Sequence, residues 1–173
     1  MGDTSDLDRL VQDHLPATLR FAVRMTGDPD AAEEVVQEAL LRVTQRWKTF
    51  RRDADFRTWL FRIVINVFRD RLRRRRLSVV SLDEEPREAL DPKSVEAGEA
   101  AAAGELGRRV AEEVSRLPPR QREVLVLVAF EKLSVRETAA AVGISEQNVY
   151  ATLSAARAQL KRRLAPFLGF AEK

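Results

Sequence analysis

Between Leu117 and Leu164 the chain carries two helix starts so close together that only a helix-turn-helix can accommodate them. Ser134 and Glu137 are spaced as a capping box, the hydroxyl taking an orphan amide of the first turn and the carboxylate reaching back to the cap, so a short helix is predicted from Val135. Gly143 can adopt the left-handed conformation that ends helices, and Ser145 is a good cap for the next one. That second helix has an apolar stripe at Val149, Leu153, Ala156, Leu160 and Leu164, spaced by three and four, which predicts one buried face. Ala139 is small where two steeply crossing helices approach, and Ile144 and Val149 supply the apolar contacts that hold the second helix across the first.

The opposite face of the second helix presents Gln147, Ala151, Ser154 and Lys161, flanked by Asn148, Tyr150 and Arg157. Short polar groups at the N-terminal turns with cations behind them suit a helix lying in a major groove, bases first and phosphates after. The solvated face of any helical hairpin has a similar composition, so the rest of the chain has to decide.

Composition removes whole classes of chemistry. The 173 residues include no cysteine and a single histidine, His14, which excludes disulfides, thiolate metal sites and thiol catalysis and leaves no metal cluster to build. No nucleophile and base pair, phosphate loop or metal spacing occurs, so we expect no catalytic residue, no metal, no cofactor and no enzyme activity. No apolar run approaches membrane-spanning length and the acidic start MGDTSDLD lacks the basic flank of a secretory signal; the expectation is a cytoplasmic protein without membrane insertion. Net charge is only +3, so the distribution of charge carries more information than its sum.

Taken in order, the chain begins with an apolar helical pattern at Leu7, Leu10, Val11, Leu15, Leu19, Ala22 and Val23, which Pro16 is expected to break or kink and Gly27 to end. Asp28-Pro29 then caps and opens a helix with a core face at Ala32, Val35, Val36, Ala39, Val43 and Trp47. Its other stripe, Glu34, Gln37, Glu38, Leu41 and Gln45, displays a leucine among acidic and amide groups, the layout of a protein-binding anchor. A loop follows in which Phe50 and Phe56 alternate with Lys48, Arg51, Arg52 and Arg57, a mixture suited to single-stranded nucleic acid or to an ordinary surface loop with core-facing rings. From Phe56 to about Arg76 runs a helix whose core face is Trp59, Leu60, Ile63, Val64, Val67 and Leu72, and whose second stripe is Arg62, Asn66, Arg69, Arg73 and Arg76. Further arginines at 71, 74 and 75 crowd its end; cations suit a helix C-terminus, but so many repel one another without an anionic partner, and nucleic acid is the expected one.

Residues 78–105 are acidic and interrupted by Pro and Gly, which reads as a flexible linker whose alanine-rich end can lead helically into the next domain. The fold expected is therefore all-α, with two small helical domains, 6–77 and 106–165, joined by that linker.

A helical module with a basic helix end, an acidic linker and a C-terminal helix-turn-helix resembles the extracytoplasmic-function (ECF) sigma factors of the sigma-70 family. TGDPDAAEEVVQEALLRVTQRW is similar to the core-polymerase-binding segment of sigma region 2, DFRTWLFRIVINVFRDRLRRRR to its promoter-melting and minus-10-reading helix, and LPPRQREVLVLVAFEKLSVRETAAAVGISEQNVYATLSAAR to region 4. The resemblance implies that Glu34, Gln37, Glu38, Leu41 and Gln45 face the clamp helices of core RNA polymerase. It implies that Arg62, Asn66, Arg69, Asp70, Arg73, Arg74 and Arg76 serve the minus-10 promoter DNA, with Phe50, Arg51, Arg52 and Phe56 near a flipped base. Arg136, Gln147, Asn148, Tyr150, Ala151, Ser154, Arg157 and Lys161 would meet the minus-35 element, and the linker would thread the RNA path. An anti-sigma factor is a further candidate partner. The chain departs from the family in having Ala31 where an acid is usual, and Tyr150, Ala151, Thr152, Ser154 and Ala155 where many relatives carry Lys, Ser, Arg, His and Arg. The competing reading is a stand-alone helix-turn-helix regulator that binds duplex DNA without polymerase.

Overall fold

The computed structural model describes residues 4–51, 55–81 and 99–168, and every regular element among them is helical. Helices α1 (Thr4–Thr26), α2 (Pro29–Arg46) and α3 (Phe56–Ser81) make the N-terminal bundle, while α4 (Glu99–Ser115), α5 (Pro119–Leu125), α6 (Val135–Val142) and α7 (Glu146–Leu164) make the C-terminal one. The two-module, all-α expectation is met. Helix occupies both ends of the stretch read as linker, and the middle of that linker, with the role implied for it, lies outside the described residues.

Local signals account for most element boundaries. Asp28 caps α2 by accepting from the Asp30 amide at 3.0 Å, with Pro29 in the first turn where its missing donor does no harm. Gly27, at φ 74°, closes α1 in the left-handed region. The break or kink expected at Pro16 does not end the helix: α1 runs from Thr4 to Thr26. Pro16 and Gln12, whose carbonyl loses its partner, are both exposed, so water can satisfy that carbonyl. Leu7 on one side and Phe21, Ala22 and Met25 on the other are buried and hold both halves on the bundle.

The two modules share one continuous apolar cluster, from Leu7 and Phe21 of α1 to Val149 and Ala156 of α7. α3 lies in the middle, against α1 and α2 on one side and α6 on the other. Phe61, Ile65 and Phe68 are buried although they lie off the core stripe read from the sequence. Phe61 packs on Phe21 of α1 with ring centroids 4.7 Å apart, and Phe68 lines a cleft with Val35 of α2, so this second buried face consolidates the N-terminal bundle.

Polar contacts reinforce the junction. Arg122 of α5 donates to the carbonyls of Met25, Ser115 and Leu117, which terminate α1 and α4. A cation there answers the negative ends of two helix dipoles at once. Burial pushes the Arg122 guanidinium down to about 10, which leaves it charged at neutral pH.

Candidate polymerase and promoter interfaces

The helix-turn-helix is built as its caps require. Ser134 and Glu137 form the reciprocal box, with the Ser134 amide donating to Glu137 Oε2 at 2.7 Å and the Glu137 amide to Ser134 Oγ at 3.2 Å. Gly143 takes φ 77°, ψ 43°, and its amide and that of Ile144 both return to the Ala139 carbonyl. Ser145 then caps α7 by accepting from the Asn148 amide at 3.2 Å. Val149, Leu153, Ala156 and Leu164 turn inward; Gln147, Asn148, Tyr150, Ala151, Ser154, Arg157 and Lys161 are all exposed, as is Arg136 on α6. The whole face read as groove-facing is thus open, and Tyr150, 61 % exposed, is its largest projection.

On α2 Ala32, Val35, Val36, Ala39 and Val43 are buried as read, Trp47 just beyond its end is half-buried, and Glu34, Gln37, Leu41 and Gln45 stand outward. Leu41 is 58 % exposed, so it is not a second layer of the protein's own core. The acids around it are held by the arginine-rich end of α3. Glu34 pairs with Arg71, and Glu38 accepts from Arg42 at 2.6 Å and Arg74 at 3.2 Å. Burial alone would raise the Glu38 carboxyl, but hydrogen bonds from Arg42 and Arg74 outweigh it and hold the group below its ordinary range.

The long cationic stripe of α3 is divided by its surroundings. Arg73, Arg74 and Arg76 are exposed on the outer half of the helix, where Asp70 accepts from both Arg42 (2.9 Å) and Arg73 (3.1 Å). Asn66 and Arg69 are half-buried, and Arg69 turns into the C-terminal module. Exposed Arg62 lines an open cleft with Ala139, Ala140, Gly143, Ile144, Ser145 and Glu146. The aromatic loop is more internal than its composition suggests. Phe56 is 6 % exposed and packs with Trp47, Phe50 and Trp59, Phe50 is half-buried, Arg51 is exposed, and Arg52 lies outside the described residues.

Sequence reading missed the partners that occupy part of this surface. Arg69 donates through Nε and Nη2 to the two carboxylate oxygens of Glu123 on α5, at 2.8 and 2.5 Å, and to the Val142 carbonyl at 3.1 Å. Arg57 donates to the backbone oxygen of Glu131 at 2.6 Å and to its carboxylate at 2.9 Å, and Arg24 approaches the same carboxylate at 3.3 Å. Glu123 and Glu131 are 1 % and 5 % exposed. The signal available for them is acid placed directly before and directly after the apolar run VLVLVAF, where an unpaired carboxylate would be costly.

Among the described residues no cluster of His, Cys, Asp and Glu could hold a metal ion, and no helix is long and apolar enough to cross a membrane.

Residues 10–77 match the family described as Sigma-70 region 2, and residues 107–160 match Sigma-70, region 4. The chain is 33 % identical over 166 residues to the RNA polymerase sigma-E factor of Streptomyces coelicolor, covering 95 % of this chain and 89 % of that protein. It is 31 % identical to the ECF RNA polymerase sigma factor SigM of Mycobacterium tuberculosis strain H37Rv, covering 94 % and 79 %. Among solved structures, RpoE of Bartonella quintana, crystallised with the anti-sigma factor NepR, superposes with a TM-score of 0.80 at 24 % identity over 92 % of this chain and 96 % of that one, a likeness of fold. CnrH, solved with the cytosolic domain of CnrY, superposes with a TM-score of 0.67 at 28 % identity, over 95 % and 91 %. With both sigma regions matched in order, and 31–33 % identity to curated sigma factors over 94–95 % of its length, the chain belongs to the ECF sigma factors of the sigma-70 family.

Proposed function

We propose a division of labour among three surfaces by which this sigma factor directs core RNA polymerase to promoters and helps open them. The α2 face of Glu34, Gln37, Glu38, Leu41 and Gln45 docks on the polymerase, Leu41 entering an apolar pocket while the acids meet cations at its rim. The α3 residues Arg62, Asn66, Arg69, Asp70, Arg73, Arg74 and Arg76, with the Phe50–Phe56 segment beside them, serve the minus-10 region. The face of α7, with Arg136, reads the minus-35 element in the major groove. The protein contributes binding and strand separation and no bond-making chemistry of its own, and it works in the bacterial cytoplasm where its DNA is. A partner such as NepR, the anti-sigma factor crystallised with RpoE, fits the same reading.

The observation that carries this assignment is that two recognition faces of different chemistry, the Leu41 face and the α7 face, are both open on one fold. The test is run-off transcription from a promoter library with purified core polymerase. Selective initiation that requires both core and this protein supports the reading; binding to specific duplex without core, and no initiation with it, overturns it.

A further inference from the structure

The surface assigned to the minus-10 region is partly covered by the protein itself. Arg69 meets Glu123 through both edges of its guanidinium fork, the geometry with which arginine also grips a phosphate. Arg57, more than three turns earlier at the start of α3 and next to the aromatic segment, is gripped by Glu131. Each arginine also meets a backbone oxygen at the end of a helical segment, Arg69 at Val142 closing α6 and Arg57 at Glu131 closing the turn after α5, so helix-end charge adds to the carboxylate. α7 is oriented differently: its recognition face is exposed in the same closed arrangement.

We propose that Glu123 and Glu131 are internal surrogates for nucleic-acid phosphate, which hold Arg69 and Arg57 in the free protein and so mask part of the minus-10 surface while leaving the minus-35 face available. The inference rests on the sigma reading of α3. A phosphate backbone entering along α3 must take the arginines from the two carboxylates, which leaves the buried acids with only the longer contacts to Arg24 (3.3 Å, Glu131) and Arg120 (3.7 Å, Glu123). Displacement therefore drives the modules apart, because solvent satisfies Glu123 and Glu131 better than those longer contacts do. The apolar cluster that the two modules share opposes that separation, so weak or isolated polyanion contacts do not open the chain. Promoter engagement becomes sequential, α7 first and α3 once the modules part.

The absence of native cysteine makes the test direct. Glu33→Cys on α2 and Arg162→Cys on α7, both at exposed positions, take a donor and acceptor dye pair for energy transfer between the modules. In this background Glu123→Gln/Glu131→Gln is compared with the unmutated pair, alongside binding of a labelled mixed-sequence single-stranded oligonucleotide across a salt series. The expected result is high transfer in the unmutated pair, lower transfer in the glutamine variant, and oligonucleotide binding at least tenfold tighter in that variant. The salt slope should steepen by about 0.7 for each arginine released. Open modules with unchanged oligonucleotide binding overturn the masking, and low transfer without either mutation overturns the closed state. Should the glutamine variant lose its cooperative melt, the unmutated labelled protein is titrated with the same oligonucleotide, where saturation without a fall in transfer overturns the proposal. Run-off transcription with core on the unlabelled protein reports separately on the sigma reading, so failure there is distinguishable from failure of the mask.

Discussion

Arg42 of α2 donates to Asp70 of α3 at 2.9 Å while its other nitrogen reaches Glu38 at 2.6 Å, so one guanidinium ties α2 to α3. Its neighbours are partly buried, and the pair is better shielded than an open surface ion pair. Arg42→Ala is expected to destabilise the fold by about 1–2 kcal/mol, which for a chain of this size lowers the melting temperature by roughly 2–8 °C. Thermal melts of Arg42→Ala, Asp70→Ala and the double variant should show the two changes to be non-additive. Strict additivity would mean that the contact contributes nothing.

The exposed Leu41 should behave differently, since no core contact depends on it. Leu41→Asp is expected to weaken binding to core polymerase by a few kcal/mol, the range of an interface hot spot, while leaving the cooperative melt in place. A pull-down with purified core measures this, and undiminished retention contradicts the docking assignment.

On α7, Gln147 and Asn148 are exposed at the N-terminal turn, with Ala151 and Ser154 short enough to permit close approach to bases. Either amide can pair bidentately with adenine, worth about 1–3 kcal/mol of discrimination. Gln147→Ala or Asn148→Ala should therefore relax selectivity at one upstream promoter position in a library selection. The same preference returned by both variants would exclude base reading by these amides.

The capping box gives a pH signature. Hydrogen bonds from the Ser134 hydroxyl and then its backbone amide hold the Glu137 carboxyl below its ordinary range. A carboxyl depressed in the folded state contributes stability that is complete above its unfolded value and is lost as pH falls through the folded one. Ser134→Ala should cost about 1 kcal/mol at neutral pH. Glu137→Gln should be least stable relative to wild type near neutrality, the gap closing in acid; a gap constant with pH contradicts the charged cap.

These features differ in how much of them could be read from the chain. Ser134, Gly143 and Ser145 act on their own neighbours within a few residues, so the helix-turn-helix and its open face were legible before any tertiary packing was known. The Leu41 stripe was legible for the same reason, from helical periodicity alone. The fate of Arg69 was not, because its partner Glu123 is 54 residues away and meets it only when the modules dock. Phe61, Ile65 and Phe68 were unread as core because one helix was expected to bury one face, whereas α3 is covered on two sides. Phe56 carried the opposite ambiguity: basic neighbours suggested an exposed ring, and an aromatic cluster around Trp47 and Trp59 draws it inward.

The most direct test of the central claim is permanganate footprinting of linear promoter DNA with core polymerase and this protein, comparing wild type with Arg73→Ala, Arg76→Ala and Asn66→Ala. Arg73 and Arg76 are exposed on the outer half of α3, and each that neutralises a phosphate adds roughly 0.9 to the salt slope of duplex binding, or about 0.7 for single strands. The account predicts reactive thymines in the minus-10 region only when core and wild-type protein are both present, flatter salt dependence of holoenzyme binding in each arginine variant, and loss of strand opening in Asn66→Ala. Opening without this protein, or a wild-type holoenzyme that binds the promoter and leaves the minus-10 thymines unreactive, would contradict it.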